Sequence, residues 1–208
     1  MTGSERVGHA VVVLAAGASA RLGQPKQLLR IDGETLLHRV VRLARSTRPA
    51  TLVVVLAPDA NAVAEALGDQ ALTMVINPEP QRGMRSSLEV AAPLVAGFSH
   101  VLVVACDQPA LEVAHLHALL RGAYNASSGC AGTGLASDGA VVLGVPAVVP
   151  GAWFDDLAGG GDDSGFRARL RALAPESVHV LEAPALALDI DTPDNLRTAQ
   201  ELGLIDPP

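Results

Sequence analysis

The sequence predicts an α/β fold of three layers, in which a mostly parallel sheet is covered by helices on both faces. The first observation is alternation. Short apolar runs and amphipathic stretches follow one another as far as Arg121, the order that builds parallel strands joined by helical crossovers. The second is the character of the runs at 11–14, 51–56 and 101–106. They are continuous and rich in Val and Leu, so both faces of those strands are buried, as in parallel sheets. The third is composition: hydrophobic residues are 49% of the chain but aromatics only 2%, so the core is made of Val, Leu and Ala. A length of 208 residues fits one domain with a sizeable core.

Residues 11–14 read as the first strand, and 36–44 as a helix with Leu36, Leu37, Val40, Val41 and Ala44 on one face. A second strand at 51–56 leads to a short helix near 60–67, and 72–76 is a third strand. Residues 86–95 read as helical, with Pro93 ending or kinking the helix. The strand 101–106 and the helix 112–121 complete the regular part. Beyond it the pattern fades. Residues 125–139 are rich in Gly, Ala and Ser and read as a loop or flexible insertion, and 140–143 as a strand interrupted by Gly144 and Pro146. Residues 159–163 read as a mobile acidic connection, 166–173 as a helix, and 178–181 and 185–190 as strands. Thr192 and Pro193 suit the N-cap and first position of a final helix. With no internal repeat or linker, residues 8–110 are expected to bind a nucleotide and 111–208 to complete the sheet and form the acceptor side.

A formal net charge of −7 argues against a nucleic-acid surface. Cys106 and Cys130 are too few for a disulfide framework and lack zinc spacing. No cation-flanked apolar leader opens the chain, and no apolar run approaches about 20 residues. The expectation is a soluble cytoplasmic protein without a membrane partner.

The most informative stretch starts where the first strand ends. Small side chains in Ala15, Ala16, Gly17, Ala18 and Ser19 let backbone N–H groups approach an anion, and Arg21 and Lys26 supply countercharge. Such a loop at the C-terminal edge of a sheet is where open α/β folds bind nucleotides. A plain strand-to-helix turn with surface cations is the alternative. The Walker pattern is absent, because Lys26 precedes Gln27, and so is the three-glycine dinucleotide fingerprint. The segment instead resembles the signature L-A-A-G-x-S-x-R-x-G-x-x-K of the nucleotidyltransferases that include the molybdenum cofactor enzymes, matched by Leu14, Ala15, Ala16, Gly17, Ser19, Arg21, Gly23 and Lys26. The resemblance implies a Rossmann-like, nucleotide-diphospho-sugar-transferase-like fold.

Asp107 ends an apolar run and faces the crevice edge, where it either caps the next helix or holds a cation. The surrounding Cys106-Asp107-Gln108-Pro109 is similar to the molybdenum cofactor cytidylyltransferases at their metal-binding aspartate, which implies Mg²⁺ with Mn²⁺ as an alternative. If 185–191 is extended, Asp189 and Asp191 point to one side and can share a cation, with Asp191 the better placed. Asp189-Ile190-Asp191-Thr192-Pro193 also match the first five positions of the family's D-I-D-T-P-x-D. Gly83, Met84, Ser87 and Leu88 match its G-M-x-x-S-L, which implies that Asn77, Gly83, Ser86 and Ser87 lie against the base and ribose; simple serine capping is the alternative. Residues 161–167 resemble G-D-x-G-A-R with one extra residue and Phe for Ala, which assigns Asp162 and Arg167 to the acceptor.

The resemblance spans Leu14 to Asp194 and implies a molybdenum cofactor cytidylyltransferase, moving CMP from CTP to a phosphorylated pterin and releasing pyrophosphate. A molybdenum hydroxylase is then a possible recipient of the product. In that mechanism Lys26, Arg21 and Asp107 carry the chemistry, since the acceptor phosphate is already a nucleophile and the protein has only to position and neutralise. Two readings stay open beside it: a guanylyltransferase or other member of the superfamily, and a non-catalytic module that delivers cofactor. Ala16 favours the cytidylyl form, because guanylyl members resemble L-A-G-G there.

Overall fold

The computed structural model describes residues 6–68, 71–137, 140–159 and 166–207. Seven strands form one sheet: β1 (Arg6–Ala15), β4 (Thr51–Leu56), β5 (Thr73–Ile76), β6 (Phe98–Ala105), β7 (Cys130–Ser137), β8 (Ala140–Pro150) and β9 (Val178–Glu182). The short pair β2 (Arg30–Ile31) and β3 (Glu34–Thr35) makes a separate hairpin. The order across the sheet is β5-β4-β1-β6-β8-β7-β9. β8 is antiparallel to both its neighbours and the other pairings are parallel, so one strand runs against the rest.

The expected two-faced burial is realised residue by residue. Val11 and Val13 of β1 pack with Val54 and Val104 under α1 (Leu36–Ser46) and α4 (Val113–Asn125). Val12, between them, packs with Val53, Val55 and Val103 under α3 (Met84–Val95). α1 turns Leu37, Val40 and Val41 into the first core, each fully buried and worth about 1.5–3 kcal/mol relative to exposure. Thr35 starts this helix by accepting a hydrogen bond from the His38 N–H. Pro93 sits near the end of α3, which stops at Val95, while α2 (Asn61–Leu67) adds Val63 and Leu67.

The second half departs from expectation. Residues 125–139 were expected as a loop, yet β7 runs through them and occupies the sheet between β8 and β9. A side chain at Gly132 would come within 3.2 Å of Leu143, so the small residues that look like a loop are what close pairing with β8 demands. β8 continues through Gly144 and Pro146, with a register shift opposite Gly132 and Thr133. Residues 185–190 are not a strand: Pro184–Ala187 is a 3₁₀ turn, followed by irregular chain. Instead of joining the sheet, this chain docks on the exit from β6, where the Ile190 N–H donates to the Asp107 carbonyl at 2.9 Å. Further on, α5 (Ala152–Asp155) and α6 (Arg167–Arg171) cover the second core, and α7 (Pro193–Glu201) starts with a Thr192–Asn195 capping box. Among the described residues no helix is long and apolar enough to cross a membrane.

Candidate active site

The C-terminal ends of β1, β4, β5 and β6 share one edge, so the chain leaving Ala15, Ile76 and Ala105 meets there. A cavity of about 230 Å³ lies at this edge. Leu14, Ala16, Gly17 and Lys26 line one wall, Ala105, Cys106 and Asp107 another, and Pro80, Gly83, Met84 and Ser87 the third.

The loop after β1 is held by its own backbone. Ser19 adopts φ +50°, the left-handed region, and its carbonyl accepts from the Leu22 and Gly23 N–H groups at 3.1 and 3.0 Å. The Ser19 hydroxyl oxygen accepts from the Lys26 N–H at 3.2 Å. Gly17, Ala18 and Arg21 are exposed, while Ala15 is buried beneath the loop and does not line the cavity.

Lys26 is the centre of charge. It is buried, and its Nζ donates to Asp107 Oδ2 and to Asp191 Oδ1, both at 2.7 Å. Arg21 donates to the other oxygen of Asp191 at 3.2 Å. Burial works against the ammonium, but the charge and hydrogen bond of Asp107 and the hydrogen bond of Asp191 outweigh it and hold Lys26 above the usual lysine range. Residues from three separate parts of the chain therefore meet, and the Asp107 and Asp191 carboxylates both pair with a single cation. Asp191 does so from the irregular chain before α7, not from a strand exit, because the Ile190–Asp107 backbone bond sets its position.

Asp189 is not on a shared strand face with Asp191. It is partly buried, its Oδ1 has no hydrogen-bond partner, and burial followed by the nearby Asp107 charge pushes its carboxyl up to about 6. Burial and the neighbouring Asp107 also push the Cys106 thiol up to about 12, which makes it a poor nucleophile.

Of the residues expected at the base and ribose, Gly83 and Ser87 line the cavity and Asn77 and Ser86 do not. The Asn77 amide donates to the Ser86 and Ser87 hydroxyl oxygens at 2.8 and 3.0 Å, and Ser86 in turn hydrogen-bonds the Gly83 carbonyl at 2.8 Å. This buried triad fixes the start of α3. Arg167 is exposed at the start of α6 and borders a second, mainly apolar cavity of about 190 Å³ with Leu88, Val103, Val145 and Phe166. Met84 lines both cavities. Asp162 and the rest of 160–165 lie outside the described residues.

Two buried glutamines, to which the sequence assigns no role, stand next to the charged pair. Gln27 donates to the Ala15 and Gly17 carbonyls at 2.8 and 3.0 Å. Gln108 donates to the Val145 and Leu186 carbonyls at 3.1 and 3.0 Å, tying β8 and the chain leading to Asp191 onto the exit of β6. The available signal was position, since each glutamine directly follows a charged site residue.

No three acidic, His or Cys side chains among the described residues form a metal cage. The donor set nevertheless suits a hard cation that keeps phosphate and water ligands, which needs one or two carboxylates from the protein. Asp107 and Asp191 already grip a cation in Lys26, and the unpartnered Asp189 Oδ1 is a third acceptor on the same segment.

A family model described as a MobA-like NTP transferase domain matches residues 11–178. A probable molybdenum cofactor guanylyltransferase of Synechococcus elongatus is 34% identical over 111 residues, 52% of this chain and 55% of that protein. The chain thus spans about half the length of the curated relatives it matches. Among solved structures, Rv0371c of Mycobacterium tuberculosis aligns with a TM-score of 0.77 at 29% identity, covering 97% of this chain and 100% of that one. A complex of Rv0371c with manganese aligns at 0.72 and 26% identity, covering 94% and 99%.

Proposed function

We propose that this chain, which belongs to the MobA-like NTP transferase family, transfers a nucleoside monophosphate from a nucleoside triphosphate to the phosphate of a molybdopterin-type acceptor. The observation that carries the reading is the meeting of Lys26, Asp107 and Asp191 beside a loop of small residues at the sheet edge. In this reaction an acceptor phosphate oxygen forms a bond to the α-phosphorus, the α–β bridging P–O bond breaks, and pyrophosphate leaves with that electron pair. Both reactants are polyanions, so positioning and neutralisation supply the catalysis. The loop N–H groups and Arg21 bind the β- and γ-phosphates. Lys26 exchanges its carboxylate partners for the α-phosphate and stabilises the charge that grows there. Asp107 and Asp191, with Asp189 beside them, would hold Mg²⁺ or Mn²⁺, which neutralises triphosphate charge when bound. Gly83 and Ser87 border the base and ribose, and Arg167 the acceptor.

GTP is the donor that the relatives' names favour, because they are called guanylyltransferases. CTP is the second reading, supported by Ala16, which resembles the cytidylyl form of the loop and lines the cavity. The test is incubation with Mg²⁺, molybdopterin and each of the four nucleoside triphosphates, with pyrophosphate as readout. The reading expects acceptor-dependent release that is fastest with GTP. A clear preference for CTP would transfer the assignment to the second reading, and no acceptor-dependent release with any nucleotide would overturn both.

A further inference from the structure

Gln27 is 4% exposed, and its side-chain amide does more than fill space. Nε2 donates to the carbonyl oxygens of Ala15 and Gly17 at 2.8 and 3.0 Å, two peptides separated by one residue. The reverse orientation of the amide would set its oxygen against two carbonyls, so the donor end is fixed, and Oε1 is left without a partner. In a trans peptide the C=O and the following N–H point in opposite directions. Drawing the Ala15 and Gly17 carbonyls toward Gln27 therefore turns the N–H groups of Ala16 and Ala18 the other way. Ala16 and Gly17 line the cavity, and the N–H groups of Gly17, Ala18 and Ser19 have no protein partner among the described residues. Paired outward N–H groups of this kind make an anion-binding concavity.

We propose that Gln27 is the positioning residue of the phosphate loop: by holding the Ala15 and Gly17 carbonyls inward it presents the Ala16 and Ala18 N–H groups to the triphosphate. The proposal rests on the nucleotidyltransferase reading of this cavity. Gln27 touches no substrate itself. Ser19 and the turn to Gly23 fix the far end of the loop, so Gln27 is the brace at its near end.

The test is the affinity of the whole protein for a nucleoside triphosphate, for inorganic pyrophosphate and for the bare nucleoside, by calorimetry in the wild type and in Gln27→Met. Met keeps the length and bulk of the side chain and removes both donors. Loss of about tenfold in triphosphate and pyrophosphate affinity, with nucleoside affinity unchanged, is the expected result. An equal loss for all three ligands, or no loss, would overturn the proposal, because a merely structural brace makes no distinction between phosphate and base. Gln27→Leu, which also lacks the donors and adds no charge beside the phosphates, serves if Gln27→Met does not fold, and the same selective loss is expected of it. Failure of the wild type to bind any triphosphate would instead refute the nucleotidyltransferase reading.

Discussion

Replacing Asp107 with Asn tests whether Lys26 is anchored as the geometry indicates. Asp107 Oδ2 lies 2.7 Å from Lys26 Nζ, with side-chain exposures of 19% and 9%. At that separation, and with an effective dielectric constant of about 20, two unit charges attract by about 6 kcal/mol. Desolvation of both groups cancels much of this, and Asp191 still pairs with the lysine after the substitution. The net loss is therefore that of a charge-assisted hydrogen bond, about 1.5–3 kcal/mol. For a chain of this size it corresponds to a fall of about 3–12 °C in Tm. Asp191→Asn should cost less than about 1 kcal/mol, because Asp191 is 41% exposed and its second partner, Arg21, is 72% exposed. Thermal and urea unfolding of the two variants side by side measure the difference. In turnover Asp107→Asn should lose at least about a hundredfold, since it removes charge from the centre of the site, ~2.7 kcal/mol in the barrier. Equal destabilisation by the two variants, or a larger effect from Asp191→Asn, would refute the view that the buried Lys26–Asp107 pair is the anchor.

Two further outcomes follow from parts of the fold away from the cavity. His9 is buried and its Nε2 is 2.9 Å from Thr47 Oγ1, whose own hydrogen goes to the Ala44 carbonyl, so the imidazole donates. Burial, then the charges of His100 and His117, hold its pKa below 6.5. The folded state therefore binds fewer protons than the unfolded chain, and stability should fall as pH drops below about 6.5 and level off once pH passes the folded pKa. Urea titrations across that range should show a flatter acid limb in His9→Gln, and an unchanged limb would exclude His9 as its source. Gly151→Ala would bring a Cβ to 1.9 Å from the Phe98 carbonyl oxygen, backbone that cannot step aside, so a destabilisation at or above the upper end of ~1–3 kcal/mol is expected in the same measurement. Wild-type stability in that variant would contradict the close approach of β6 and the end of β8.

The parallel half of the sheet was legible because its strands are buried on both faces and must be apolar throughout, as 52–56 and 101–106 are. β7 was not, since Gly132 is there to let a neighbouring strand come close, and small residues carry no periodic signal. The stretch 185–190 is apolar enough to pass for a strand, yet Pro184 begins a turn and the Gln108 amide captures the Leu186 carbonyl, a contact between residues distant in sequence. The charged residues that meet here stood out in the chain, Arg21 and Lys26 as cations spaced along a loop of small residues, Asp107 and Asp191 as carboxylates at the ends of apolar runs. The sequence assigns Lys26 to a phosphate and the aspartates to a metal, and what it does not convey is that the lysine also pairs with both carboxylates in the folded chain. Gln27 and Gln108 carry no role in the sequence because an uncharged amide looks like surface until its burial is known.

The most direct test of the central claim follows the α-phosphate itself. With α-³²P-labelled nucleoside triphosphate at saturation, phosphorylated pterin acceptor and Mg²⁺, label should pass from the triphosphate to the acceptor with one pyrophosphate released per transfer. In Lys26→Ala that rate should fall by at least about a hundredfold at saturating nucleotide, with a smaller change in KM, because the lysine acts on charge that grows during transfer. Label recovered as free nucleoside monophosphate, or a Lys26→Ala variant that keeps its turnover and shows only a raised KM, would contradict it.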